Sequence, residues 1–183
     1  MTINSWATRA TIRTTLAFAA LASGCAGRGE APGVKSPVGL STPASQPPAD
    51  FAFDSIDERP VSAEATRGKP TVLAFFTTSS LPAQAQVDFL VAMARHDGDR
   101  VNYAVVALEA SDARELVELY KKALSIPFPV ALADAQTLAG GGAFGDVRAV
   151  PVTVMLDRAG HVVWRVEGRV AKSDELRAAL RGL

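Results

Sequence analysis

Ala149-Val150-Pro151-Val152-Thr153-Val154-Met155-Leu156-Asp157-Arg158-Ala159-Gly160-His161-Val162-Val163-Trp164-Arg165-Val166 holds two apolar, β-branched runs on either side of a four-residue turn. Each run has the length of a strand, and Asp and Gly bound the turn between them, so the stretch predicts a β-hairpin. Asp157 is expected to open the turn with its own carboxylate rather than act as an acid or base. His161 reads as a solvated turn residue. Trp164 fits either a core position on one face or an exposed contact.

Upstream of the hairpin, Thr71-Val72-Leu73-Ala74-Phe75-Phe76 is apolar without alternation and follows the turn Arg67-Gly68-Lys69-Pro70. That pattern predicts a central strand covered on both faces. Leu81 to Arg95 predicts a helix with Pro82 in its first turn, where a missing N–H does no harm. Val87, Leu90, Val91 and Ala94 line one face, and His96-Asp97-Gly98-Asp99 ends it. Val101 to Leu108 predicts a second buried strand. Ser111 is expected to cap the next helix, with Leu116, Leu119, Tyr120 and Ala123 on its core side and Lys121-Lys122 as a solvated end. Pro127 to Leu132 is a short extended piece, Ala135 to Ala139 a weak helix, and Gly140-Gly141-Gly142 a loosening of the chain. Phe51-Ala52-Phe53 and a segment near Val61 read as a small entry hairpin or edge strand. Ser173 is expected to cap a final helix with Leu176, Ala179 and Leu180 inward. The order β-α-β-α-β-β-α predicts an α/β fold with a central mixed β-sheet and helices on both faces.

Composition narrows the function. Of 183 residues, 48% are hydrophobic, enough for a real core, and 19 Lys and Arg balance 19 Asp and Glu. Zero net charge and the lack of a basic stripe argue against nucleic acid as a partner and give no electrostatic reason to expect an anionic membrane surface. One cysteine and two histidines, Cys25, His96 and His161, exclude an intrachain disulfide and a Cys/His metal cluster, so no metal and no cofactor is expected. Gly140 to Gly145 lacks the lysine and hydroxyl pair of a phosphate loop.

The amino-terminal residues read as an address. Arg9 and Arg13 precede a short apolar run, Leu16 to Ala22, which ends in Leu21-Ala22-Ser23-Gly24-Cys25. The run is shorter than the ~20 residues a permanent transmembrane helix needs. It resembles a lipoprotein signal, with Ala22 where leucine is preferred. That resemblance implies cleavage before Cys25, acylation of Cys25 and an envelope location, and Ala26 after the cysteine favours the outer membrane. Residues 1–24 are thus expected as signal and 25–50 as a Pro/Gly/Ser-rich tether. At ~3 Å per residue in an extended conformation the tether spans several tens of ångströms. Residues 51–183 remain as the folded domain.

Within that domain, two stretches are similar to the thioredoxin-like family of periplasmic disulfide reductases of cytochrome maturation, the TlpA/ResA-like redoxins. Gly68 to Ala83 is similar to the family's first strand and the helix start that carries two cysteines. Ala149 to Val163 resembles its V-P-T-T-F-L-I-D-x-x-G-x-I-V. The resemblance implies a thioredoxin-like fold over residues 51–183 and a cis bond at Val150-Pro151. It also implies that Ser80 and Ala83 stand at the attacking and resolving cysteine positions, Ser79 at the usual tryptophan, and Ala74 where relatives carry a polar residue.

A serine hydroxyl is far less acidic than a thiol and forms no disulfide. As a nucleophile Ser80 would need a base within reach, and neither His96 nor His161 is expected near it, so Ser80 reads as a helix cap. The sequence therefore predicts no catalytic residues. It predicts an envelope-anchored, redox-inactive module that holds a peptide or an envelope protein in a groove made by Ser79, Ser80, Leu81, Pro82, Val150 and Pro151. The alternatives are an oxidoreductase of the redoxin type with a residual or partner-dependent role, and a structural envelope subunit that uses another surface. The expected partners are the membrane, through the lipid on Cys25, and an unidentified envelope protein or peptide.

Overall fold

The computed structural model describes residues 46–183. The signal segment, Cys25 and all but the end of the expected tether lie outside the described residues. Packing begins at Ala49, which is buried and donates its N–H to the Gly160 carbonyl at 2.9 Å.

The strands are β1 (Ala52–Ser55), β2 (Val61–Ser62), β3 (Thr71–Phe76), β4 (Asn102–Ala107), β5 (Val130–Leu132), β6 (Val152–Leu156) and β7 (Val162–Glu167). They form one mixed sheet in the order β2-β1-β5-β4-β3-β6-β7. β3, β4 and β5 run parallel, while β6 lies antiparallel to β3 and β7 antiparallel to β6. The helices are α1 (Ala63–Thr66), α2 (Leu81–Asp97), α3 (Arg114–Ala123), α4 (Ala135–Leu138) and α5 (Ser173–Leu180).

β3 is buried at every position, as its uninterrupted apolar run requires. Side chains alternate across a strand. Val72, Ala74 and Phe76 therefore enter one core with residues of α2, α3 and α5. Leu73 and Phe75 enter the other, where Ala63 of α1 also packs. That second core is aromatic. Phe53 meets Phe75 edge-on at 5.9 Å, and Phe144 packs on Phe51 at 5.0 Å and on Phe75 at 5.3 Å. Phe144 and Val147 hold the connection after Gly140–Gly142 against the sheet, so this segment is fastened and not loose. Arg165 of β7 donates to the Phe144 and Asp146 carbonyls and closes it further. Gly140 sits at φ +83°, with the Arg148 guanidinium 3.0 Å from where a Cβ would stand, so its glycine serves a left-handed turn.

α2 follows its expectation, with three additions: Ala83, Gln86 and Met93 are also buried, whereas Ala94 is only half-buried. α3 departs from its expectation. Ser111 opens a 3₁₀ turn, Ser111–Ala113, and makes no capping bond. Leu116 and Leu119 are 51% and 58% exposed, Ala123 is exposed, and Val117 is the buried residue. The inward stripe is Arg114, Val117 and Lys121, because the two cations are drawn down onto β1 and the turn that follows it. Arg114 donates to Asp54 and to the Ser55 carbonyl, and Lys121 pairs with Asp57. Lys121 is thus a partly buried ion-pair partner and not a solvated helix end. Tyr120 joins from the flank, stacked on Phe76 at 5.0 Å. In α5, Ser173 is the first helical residue and Lys172 takes the cap position without a side-chain bond.

The hairpin forms as read. Asp157 Oδ1 accepts the N–H groups of Ala159 and His161, and Asp157 Oδ2 lies 3.0 Å from the His161 ring Nδ1. Burial works to raise the Asp157 pKa, but the hydrogen bonds from His161 and Ala159 outweigh it and hold the carboxyl below its usual value. Trp164 is half-buried against the helix-side core.

Candidate functional site

The sheet register builds the site. Phe75 of β3 lies opposite Val152 of β6. One step further on each strand places Phe76 beside Pro151, and the loop Thr77–Ser80 leaves β3 directly above the turn before β6. The two stretches singled out in the sequence therefore meet at one end of the sheet. The Val150-Pro151 bond is cis, as the resemblance implied.

Ser80 caps α2. Its backbone is extended, its Oγ accepts the Ala83 N–H at 3.3 Å, and its carbonyl accepts the Gln84 N–H at 2.9 Å. Ala83 is completely buried, Ser80 is half-buried, and Ser79, Leu81 and Pro82 are exposed. Leu81 is 78% exposed at the rim. His96 lies in the last turn of α2, about 25 Å along the helix from Ser80, and His161 is held by Asp157 in the hairpin turn. Neither is placed to activate the Ser80 hydroxyl.

Sequence reading missed the residue that fastens this loop. Glu109 follows β4 and accepts both the Thr78 N–H and the Thr78 hydroxyl on its Oε1, at 2.9 and 2.8 Å. The only sequence signal is an acid directly after a buried strand, at the end of the sheet where the motif loop also emerges.

Backbone bonds set what the other wall offers. The Val150 N–H is committed to the Arg148 carbonyl at 3.0 Å, and the Gly168 N–H reaches the Ala149 and Pro151 carbonyls at 2.7 and 3.0 Å. Among the described residues, no backbone donor reaches the Val150 carbonyl. Beneath the loop, Thr153 of β6 stands opposite Ala74 of β3 on the helix side of the sheet. Its hydroxyl is buried, with no partner among the described residues. Gln86 of α2 accepts the Ala171 N–H at 2.6 Å through Oε1, while its Nε2 also finds no partner among the described residues. Among the described residues no group of three or more His, Cys, Asp or Glu side chains could hold a metal ion.

No protein-family model matches the chain, and no curated protein sequence matches it. Solved structures do. A DsbF homologue from Corynebacterium diphtheriae superposes with a TM-score of 0.68 at 18% identity, covering 84% of this chain and 97% of its own. A secreted disulfide oxidoreductase of Mycobacterium tuberculosis, homologous to Escherichia coli DsbE, gives 0.60 at 18%, covering 73% and 96%. A thiol:disulfide interchange protein of the thioredoxin family from Chlorobium tepidum gives 0.62 at 20%, covering 78% and 97%. At such identities the likeness establishes the fold: this chain has the thioredoxin-like α/β fold of these thiol–disulfide proteins, and its single cysteine, Cys25, lies outside the described residues.

Proposed function

We propose that this chain is an envelope-anchored module that uses a thioredoxin-like frame to hold an extended polypeptide segment, without exchanging thiols. The observation that carries the reading is at the start of α2. A serine hydroxyl, engaged as the helix cap, stands at the position that the resemblance gives to the attacking thiol, and a buried alanine stands at the resolving one. Disulfide exchange begins with thiolate attack, and a capped hydroxyl supplies no thiolate. Backbone recognition needs no thiol. Among the described residues no backbone donor reaches the Val150 carbonyl, and Leu81 at the start of α2 is exposed, so an approaching strand is expected to gain a hydrogen bond at one and an apolar contact at the other. With the Val150 N–H already used, the pairing is one-sided. The expected affinity is about micromolar or weaker, since each such bond contributes only ~1 kcal/mol. The lipoprotein-like segment ending at Cys25 supports anchoring in the envelope, preferentially in the outer membrane. The secreted Mycobacterium protein of the same fold supports an extracytoplasmic site.

A second reading is an oxidoreductase whose redox role depends on a partner's thiols. The structural neighbours favour it, since they are thiol–disulfide proteins. Reduction of insulin disulfides, run in a buffer that supplies a dithiol in place of the partner's thiols, separates the two readings. The full chain is expected to give no turnover above buffer, and Cys25→Ser the same. Turnover that survives Cys25→Ser, in a preparation free of other reductases, would overturn the non-redox reading and favour the second.

A further inference from the structure

The zero net charge of the sequence conceals an asymmetry that appears only in the fold. One pole of the domain holds the 77–80 loop, Glu109 and Pro151. The other is where β3 begins and β6 ends, and there the Gly68 N–H bonds the Arg158 carbonyl at 2.9 Å. α2, α3 and α5 all start at the first pole and finish at the second, where Arg177 of α5 comes within 3.9 Å of Asp97 of α2. The segments gathered at the second pole (48–50, 57–59, 64–69, 95–101, 121–129, 157–161 and 177–183) carry ten Lys and Arg side chains against seven Asp and Glu. Those at the first pole (109–115, 134–149 and 165–175) carry five against eight.

We propose that the second pole docks on an anionic phospholipid surface. The chain leading back toward residue 25 leaves from this same pole. Ala49 bonds the Gly160 carbonyl in the hairpin turn, and Pro48 lies against Gly160. A tether attached there leaves the basic end free to reach the membrane to which it is fixed, so the inference rests on the proposed anchoring through Cys25 and not on polypeptide binding. Three helix carboxyl ends also point at this pole. Their dipoles amount together to about −1.5 charges, too little to cancel an excess of three positive side chains.

An open cleft of about 440 Å³ lies at this pole, between the end of α2 and the Pro127–Pro129 segment. Lys69 and Arg95 stand on its rim together with Asp99, and the described residues offer neither cation an ion-pair partner. The cleft is wide enough for a phosphate headgroup. Docking in this orientation places the 77–80 loop on the far side, roughly 20 Å of β3 away, and leaves it free for a partner.

The test couples the full chain through Cys25, its one cysteine, to a maleimide phospholipid, so the attachment does not depend on natural acylation. Amide hydrogen exchange is then compared on vesicles of phosphatidylcholine alone and with phosphatidylglycerol added. Anionic vesicles are expected to slow exchange about fivefold or more at residues 67–69, 98–100 and 158–160, and to leave 140–146 unchanged. The protection is expected to vanish at about 0.5 M salt and in the combined variant Lys69→Glu, Arg95→Glu, Arg158→Glu. Identical exchange on the two vesicles, or protection that persists in high salt, overturns the proposal. The salt series on the unaltered chain keeps it falsifiable should the variant fail to fold. Protection that requires an added acidic protein also overturns it, by assigning the pole to that protein. Whether Cys25 is naturally acylated is read separately, by the mass of the protein isolated from cells.

Discussion

Thr78 and Glu109 are joined twice through one atom: the Thr78 N–H and hydroxyl both donate to Glu109 Oε1, at 2.9 and 2.8 Å. The bond ties the loop before α2 to the connection after β4, across the pair of parallel strands at the centre of the sheet. Glu109→Gln keeps an acceptor and is expected to retain most of the stability. Glu109→Ala leaves two donors without their charged acceptor and is expected to lower stability by about 1–2 kcal/mol. Exchange of the Thr78 amide should rise at least about tenfold in Glu109→Ala, while exchange in β3 stays slow. Unchanged Thr78 exchange would contradict the fastening role.

Ser80 acts as a helix cap. Ser80→Ala is expected to lower stability by about 1 kcal/mol, and Ser80→Asp, which restores an acceptor at a helix amino terminus, by little. Denaturant midpoints check both. Ser80→Cys with Ala83→Cys places two thiols at the start of α2 and is expected to form an internal disulfide after mild oxidation. A stable dithiol would show that this helix start does not hold two side chains at disulfide distance.

Three residues of α3 are expected to respond very unequally. Val117 is fully buried, and Val117→Ala should lower stability by about 2 kcal/mol. Leu116→Gln and Leu119→Gln alter exposed positions and should shift it by less than about 0.5 kcal/mol each. The reverse order in a urea titration would mean that the helix is rotated relative to this structure.

Asp57 predicts a feature of the acid limb. Burial works to raise its pKa, but hydrogen bonds from Arg59 and Lys121 outweigh this and lower it to about 2. A lowered folded-state pKa contributes stability above the unfolded value near 4, which is lost as pH falls toward 2. Asp57→Asn should therefore be less stable than the parent at neutral pH, and the gap should narrow between about pH 4 and pH 2. Parallel melting curves across that window would contradict the pairing with Lys121.

The hairpin, the buried strand β3 and the long helix α2 were legible in the sequence because each follows from local signals: an Asp-to-Gly turn, an unbroken apolar run, and a Ser-x-Pro start. α3 was misread because charged residues are taken to face outward. Arg114 and Lys121 turn inward only because Asp54 and Asp57, some sixty residues earlier, lie beneath them, and no window along the chain contains that fact. The three glycines at 140–142 read as looseness because the anchors of their segment, Phe144, Val147 and Arg165, act through the tertiary fold. Ser80 could be placed from its neighbours in sequence. Glu109 needed the strand order, and the committed Val150 N–H needed the turn geometry. The separation of charge between the poles was hidden for the same reason, since composition sums what topology sorts.

The central claim is that the loop before α2 and the turn before Pro151 form a polypeptide-holding groove. It is tested most directly by photo-crosslinking in cells, with a photo-reactive residue placed at Leu81 or Ala149 and, as a comparison, at Arg177 on α5. The account predicts discrete adducts from Leu81 and Ala149, persistent in Cys25-anchored protein and absent or diffuse from Arg177. Discrete adducts from Arg177 with none from either groove position would contradict it and favour a structural subunit that works through its helical face.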